Sequence, residues 1–398
     1  MSLSFTFRNV NEAFSKLVEG IERGRIWKDC DCEDCKHATI QTTRRPSRVG
    51  EVLQIPVPVC ITYTHPRERV LFNTARDCNP FFHVYEALWM LAGLNDIEGP
   101  AYYAANYRDC VQDGDSPIAN GAYGYRWRKA DSGRYETSSY RSGDGYGSRT
   151  ITTRELVRED QLHIIAERLR KNPDDRRCVL QMWNVEDDLL KADTSKDICC
   201  NTHAYFLIRY KYNPQALNGA ETFIPHLDMT VCNRSNDLVW GALGANVVHF
   251  SFLQEYLAAK IGCEVGVYNQ FTNNLHCYTE RWYPEKWLDS GDHTDGISHL
   301  PPSWAYQEYF KLVEDPERFD REVLDFVERH KQDALAGDYQ EPFLRNVAEP
   351  MCIAFHYHKK RDYVAALHVA DNIAADDWRI SSKFWLNKRH ALYQKRSK

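Results

Sequence analysis

Residues 174–184, DDRRCVLQMWN, run from an acidic turn through two adjacent arginines into a short apolar stretch. The apolar part, RCVLQMWN (177–184), is too brief for a helix and reads as a strand. Before it, a helical pattern from about Thr153 to Lys171 is stopped by Asn172-Pro173. After it come a charged loop, KADTSKD, the pair Cys199-Cys200, and strand-like runs at 202–212 (THAYFLIRYKY) and 227–233 (LDMTVCN). A long apolar helix is expected over about 244–261, and a further strand or loop over 264–278. The order is therefore α+β, a mixed sheet layered with helices. Neither βαβ alternation nor a glycine-rich phosphate loop occurs, which argues against a nicotinamide or nucleoside-triphosphate fold.

Upstream, apolar positions recur at helical spacing over 5–26 (Phe7, Val10, Phe14, Leu17, Val18, Ile21), predicting an amphipathic opening helix. GEVLQIPVPVCITY (50–63) is interrupted by prolines, as an edge or bent strand would be. PFFHVYEALWMLAG (80–93) begins with Pro and ends with Gly, which predicts a buried helix carrying one carboxylate, Glu86. Residues 130–150 are rich in Gly, Ser and Tyr and are expected to form a surface loop. The tail from 303 reads as helical and charged, with a last β-rich segment, MCIAFHYH, at 351–358. In domain terms this gives an N-terminal helix and Cys-rich loop (1–40), a catalytic core (41–285) and a helical extension (286–398) ending in a β segment and a helix.

The chain has 398 residues, 43% of them hydrophobic, enough to bury one large core or two ordinary ones. A net charge of -6 gives no reason to expect a nucleic-acid-coating protein. A small anion would have to be held by a local cluster of arginines. No secretion signal opens the sequence and no apolar run approaches the roughly 18 residues needed to cross a bilayer, so a soluble protein is expected. The 13 cysteines then read as reduced thiols, mostly buried as small hydrophobes. Cys30, Cys32, Cys35 and His37 could supply zinc ligands by spacing. No second ligand pair follows, however, and a polar loop without metal is the preferred reading.

Three features carry chemistry. Arginines recur where elements end: Arg48, the pair Arg176-Arg177, and Arg234 in CNRSND. Guanidinium forks match phosphate oxygens, although any one such arginine is ordinarily a solvated surface residue. Cys200 lies between a charged loop and a strand, where a thiol can be presented to a cavity. HCY (276–278) and NRSND (233–237) place polar groups at the ends of apolar segments, as a sugar or base pocket needs.

Taken in order, these segments resemble the thymidylate synthase superfamily. The resemblance is carried by DDRRCVLQMWN, ICC (198–200), CNRSND (232–237), GALGANVVHFSFLQEYLAAKIGCEVG (241–266) and NNLHCY (273–278). Upstream it includes YEALWMLAG (85–93), NGAYGYRWR (120–128) and DQLHIIAERLRKNPDDRR (160–177), so it runs from about Arg48 to Tyr278. It implies a thymidylate synthase-like fold with a sheet face forming a homodimer interface. It also implies a pyrimidine nucleoside monophosphate as substrate, with 5,10-methylenetetrahydrofolate as one-carbon donor. Cys200 aligns with the nucleophile that adds to carbon 6 of the ring, making carbon 5 able to attack an electrophilic methylene group. Arg48, Arg234 and Ser235 would bind phosphate, and Arg176 and Arg177 would reach across the dimer to the partner's phosphate. Glu86 would organise water and relay protons, with Tyr123 in the same network. Asn246 would read the base, His276 and Tyr278 would hold the sugar 3′-hydroxyl, and Asp237 would bind the pterin ring.

The sequence departs from the ordinary pattern in four places. Asn201 follows the cysteine where a histidine is usual, and Asn233 stands where glutamine precedes Arg-Ser. The loop before Asn246 is one residue longer than usual. The segment YYAANYRDCVQDGDSPIA (102–119) lacks the tryptophans that pack on the folate and exclude water. If water reaches the methylene intermediate, the product is hydroxymethyl rather than methyl. The sequence is thus closer to the hydroxymethylase branch, known from phages with modified DNA pyrimidines. Hydroxymethylation of dUMP is the leading expectation, ahead of thymidylate synthesis and of a dCMP or CMP hydroxymethylase. A catalytically silent nucleotide- or RNA-binding homologue is the reading from another class. Neither a membrane nor a nucleic acid is expected as partner, and the location would be cytoplasmic, in the host if a phage encodes it.

Overall fold

The computed structural model describes residues 2–22, 25–27, 39–47, 50–73, 76–142, 149–213, 222–279, 305–306, 309–332 and 336–396. Its main sheet has six strands in the order Leu3–Phe7, Val59–Tyr63, Glu264–Thr272, Thr222–Asn233, Asn201–Asn213, Val179–Gln181. Parallel and antiparallel neighbours alternate irregularly, so the sheet is mixed as the sequence order implied. Side chains alternate between faces. Ala204, Phe206 and Ile208 point into the core, while Val179, Tyr205 and Phe271 stand exposed on the opposite face.

Two helices cover the inner face. All twelve residues of Pro80–Leu91 are buried, and Asn79 caps it by accepting from Phe82 N. Asn246–Ile261 is almost as enclosed and ends on Gly262 in the left-handed conformation (φ 86°). The core here includes fully buried Trp89, Trp127, Phe250 and Phe252, each contributing roughly 1.5–3 kcal/mol by its burial. A smaller sheet joins Asn236–Asp237, Leu275–Tyr278, Gly50–Gln54 and Thr43–Ser47.

The structure corrects several expectations. Residues 50–63 form two strands in two different sheets, because Pro56 and Pro58 cannot donate to a continuous ladder. Phe7 ends a strand that pairs in parallel with Val59–Tyr63, and the opening helix is only Val10–Glu22. The expected loop at 130–150 is one arm of a hairpin, Ala130–Ser142 against Arg149–Glu159. Its Thr, Tyr and Ser residues suit a two-sided polar ribbon, and Gly133 (φ 67°) donates to Asp131 where the register shifts. The following helix therefore starts at Gln161 rather than Thr153, with Asp160 as its cap. Met351–His358, read as β-rich, lies inside the helix Glu349–Lys359. Its buried Met351, Cys352, Ala354 and Phe355 follow helical spacing, and Pro350 sits in the first turn.

One buried apolar cluster has members from Leu3 to Leu386. The N-terminal strand belongs to the main sheet, and the C-terminal helices pack on Pro80–Leu91: Phe81 meets Phe355 and Trp385 at 5.5 Å each. Asp376–Arg396 packs through Trp378, Trp385 and Leu386. Cys30, Cys32, Cys35 and His37 lie outside the described residues. Among the described residues no helix is long and apolar enough to cross a membrane.

Candidate active site

Cys200 immediately precedes the strand Asn201–Asn213, and its backbone N–H donates to the Tyr123 hydroxyl at 3.3 Å. Its neighbour Cys199 is buried, with Sγ 3.6 Å from the Gly121 carbonyl, and burial pushes that thiol well above its ordinary range. Of the two adjacent thiols, only Cys200 lines a cavity. Arg234 follows the next strand. Its Nε donates to Cys199 O (2.8 Å) and its Nη2 to Ile198 O (3.0 Å), which holds Nη2 3.9 Å from Cys200 Sγ. A cation fixed at that distance favours the thiolate.

Tyr123 reaches the cysteine because Gly124 lets two helices touch. A Cβ at Gly124 would stand 2.1 Å from the Met90 carbonyl oxygen, so no larger residue fits. Burial raises the Tyr123 phenol well above its ordinary value, keeping it a neutral hydroxyl. Glu86 projects from the buried helix Pro80–Leu91, and His249 Nε2 lies 2.9 Å from its Oε2. Asp197 enters the same space three residues before Cys200. It accepts from Gly121 N at 2.7 Å, and burial pushes its carboxyl up to about 6.

Asn246 opens the helix Asn246–Ile261 and donates through Nδ2 to Asn236 Oδ1 at 3.1 Å. Asn236 in turn donates to Gln270 Oε1 (3.3 Å), and Gln270 to Ala242 O (2.9 Å). This chain fixes the amide and leaves the Asn246 carbonyl and one N–H for a ligand. The loop that carries it winds tightly around Asn236. A Cβ at Gly241 would come within 2.1 Å of Asn236 Oδ1. Asp237 caps this loop by accepting from Val239 N at 3.1 Å and Trp240 N, and also accepts from Tyr278 N at 3.4 Å. Burial raises its carboxyl.

A cavity of about 250 Å³ therefore brings together Cys200, Glu86, Tyr123, Asn246 and Asp237 with His249. Ser235 lies between Arg234 and Asn236 in the chain. His276 and Tyr278 stand on the strand paired with Asn236–Asp237, their rings 5.3 Å apart. Arg176 and Arg177 lie elsewhere, on an exposed turn where Asp175 accepts from Arg177 Nε at 2.8 Å. Arg48 falls outside the described residues. Residues 101–119 line the cavity with Ala104, Asn106, Tyr107, Cys110, Val111 and Ala119, without an indole. Two indoles still reach it from other elements, Trp89 and the 36% exposed Trp240.

Sequence reasoning missed His249, Asn236 and Asp197. The available signal for His249 was an imidazole one turn beyond Asn246, on the same helix. A second groove, of about 560 Å³, adjoins the cavity and shares Phe82, Ala104, Asn106 and Trp240 with it. Arg76, Lys359, Lys388 and Arg389 line it, with Asp77 as the carboxylate among them. Arg389 binds Asp77 at 2.8 Å and Lys388 lies 3.5 Å from it, so the groove keeps a positive excess. Its histidines, His83 and His358, are held neutral by burial, pushed down to about 3 and about 4.

Residues 34–295 match the family model described as thymidylate synthase. The chain is 38% identical over 366 residues to a deoxyuridylate hydroxymethyltransferase of Pseudomonas phage M6, covering 90% of this chain and 91% of that one. It is 34% identical over 239 residues to a deoxyuridylate hydroxymethyltransferase of Bacillus phage SP01, covering 59% of this chain and 52% of that one. Similarity to the thymidylate synthase of Candida albicans is lower, 22% over 262 residues, covering 62% of this chain and 77% of that protein.

Proposed function

This chain belongs to the thymidylate synthase family, and from that premise we propose that it converts dUMP to 5-hydroxymethyl-dUMP, with methylenetetrahydrofolate as one-carbon donor. The observation that carries this reading is the Cys200 sulfur held 3.9 Å from Arg234 at a cavity that also contains Glu86 and Asn246. The thiolate adds to carbon 6 of uracil, and the electron density moved to carbon 5 attacks the donor's methylene carbon. Loss of the carbon 5 proton and departure of tetrahydrofolate leave an exocyclic methylene on the Cys200 adduct. Water adds to that methylene, and expulsion of the thiolate from carbon 6 restores the ring.

The remaining residues take the roles that the family resemblance implies. The Asn246 amide accepts from the uracil ring N–H and donates to its carbonyl, as the free half of its hydrogen-bonding capacity allows. Arg234, Ser235 and Arg48 bind the phosphate, while His276 and Tyr278 hold the sugar. Arg176 and Arg177 serve the partner's phosphate in a homodimer. Exposed Val179, Tyr205 and Phe271, on one sheet face, support that pairing. Asp237 faces the pterin. The cationic groove beside the cavity suits the carboxylates of the folate's glutamyl tail.

Hydroxymethylation is favoured over methylation because residues 101–119 supply no indole wall against water, and because the relatives from phages M6 and SP01 are named for that reaction. Thymidylate synthesis is the competing outcome, since Trp89 and Trp240 still face the cavity. Tritium release from carbon 5 of labelled dUMP tests the shared first half of either reaction. Release is expected in the presence of methylenetetrahydrofolate and its loss in Cys200→Ala, with dUMP binding retained. Release undiminished in that variant would refute the assignment.

A further inference from the structure

Glu86 and His249 come from the two helices that enclose the cavity, and both are buried, at 6% and 3% exposure. Their side chains meet at 2.9 Å between Nε2 and Oε2. Apart from this ion-pair contact, neither ring nitrogen of His249 has a hydrogen-bond partner among the described residues. Both residues line the cavity that Cys200 faces. With Nε2 turned to Glu86, Nδ1 is left buried without a partner, which is unfavourable unless it serves a ligand. A second imidazole, His83, lies close enough to interact with His249 and is held neutral by burial, so it does not supply the charge that Glu86 meets.

We propose that His249, backed by Glu86, is the general base that deprotonates the water attacking the exocyclic methylene. The inference rests on the hydroxymethylase reading above. In the step, the water oxygen forms a bond to the methylene carbon, and the methylene π pair moves into the ring as an enolate. One water proton passes to a ring nitrogen of His249. The enolate then re-forms its carbonyl and expels the Cys200 thiolate from carbon 6, leaving carbon 5 bearing CH₂OH. No oxidant or reductant is needed. The Glu86 carboxylate 2.9 Å away faces the ring that receives the proton. The same contact gives His249 a fixed orientation.

The test compares two signals early in a single turnover, with protein in excess over dUMP: tritium released from carbon 5, which reports methylene transfer, and hydroxymethyl product. In the wild-type protein each release should yield one hydroxymethyl product. In His249→Gln and His249→Ala the ratio of product to tritium should fall by about a hundredfold or more, with a Cys200-bound adduct accumulating in denatured-protein mass spectra. Added imidazole should raise the ratio in His249→Ala. Since the ratio counts turnovers, it does not depend on how much of a variant is folded. An unchanged ratio overturns the proposal. Equal loss of both signals also overturns it, since it puts His249 before methylene transfer or in the fold alone. Tritium release without hydroxymethyl product in the wild type would instead remove the hydroxymethylase reading itself.

Discussion

Arg234 sets its Nη2 3.9 Å from the Cys200 sulfur while bonding the carbonyls of Cys199 and Ile198 from the same guanidinium. The charge is thus fixed by the loop that presents the thiol. Replacement of Arg234 by Ala should raise the pH at which Cys200 becomes reactive by roughly one unit, the scale of a nearby charge. The pH profile of iodoacetamide alkylation, followed at Cys200 by mass spectrometry, measures this. Arg234→Lys should recover part of the shift but not the grip on both carbonyls. An unmoved profile would show that Arg234 does not activate the thiol.

Asn246 has one amide N–H committed to Asn236 and the rest of the group available to a base. Asn246→Asp removes the N–H that donates to the uracil carbonyl and adds a group that can accept from an exocyclic amine. Turnover of dUMP should fall by about ten- to a hundredfold, corresponding to roughly 1.4–3 kcal/mol, while dCMP gains as substrate. Side-by-side kcat/KM values for the two nucleotides decide it. An undiminished preference for dUMP would contradict the assignment.

The groove beside the cavity predicts a salt-sensitive contribution to folate binding. Lys359, poised over Tyr102 at 5.1 Å, and Lys388 are solvent-facing cations, for which gains of up to about 1 kcal/mol are typical. Each alanine variant should raise the folate KM by about two- to fivefold, more than it lowers kcat, and the effect should shrink at high ionic strength. Equal KM values for the variants and the parent would remove the groove from the folate site.

Asp377, in the first turn of Asp376–Arg396, gives a pH prediction independent of catalysis. Burial is the dominant influence and pushes its carboxyl up to about 7, against the backbone N–H of Trp378 and the nearby Arg69, which both pull it down. A carboxyl raised in the folded state stabilises the fold when protonated, and that contribution is lost as pH rises from about 4 towards 7. Asp377→Asn mimics the protonated form at every pH. The Tm of this variant relative to the parent should therefore increase between pH 5 and pH 8. A constant difference across that range would contradict the burial argument.

Cys200, Glu86, Tyr123, Asn246 and Asp237 were legible in the sequence because each sits in a short motif with a fixed place in the order of strands and helices, and all five line one cavity. His249 was not, because one histidine in a helix has no local pattern; its meaning comes from Glu86, 163 positions away in the chain. The groove was hidden for the same reason, since Arg76 and Arg389 meet only through tertiary packing. In the fold, the buried helix Pro80–Leu91 declared itself by composition and its Pro and Gly ends. The hairpin at 130–159 did not, because its strands are polar on both faces and owe their pairing to each other rather than to a core. The helix at 349–359 was misread because its aromatic and small residues suit either period until the packing partner is known.

Incubation of the protein with dUMP and methylenetetrahydrofolate, followed by mass analysis of the nucleotide and of the folate, tests the central claim most directly. The account predicts a nucleotide heavier by CH₂O, together with tetrahydrofolate. Formation of dTMP and dihydrofolate, a gain of CH₂ alone, would contradict it.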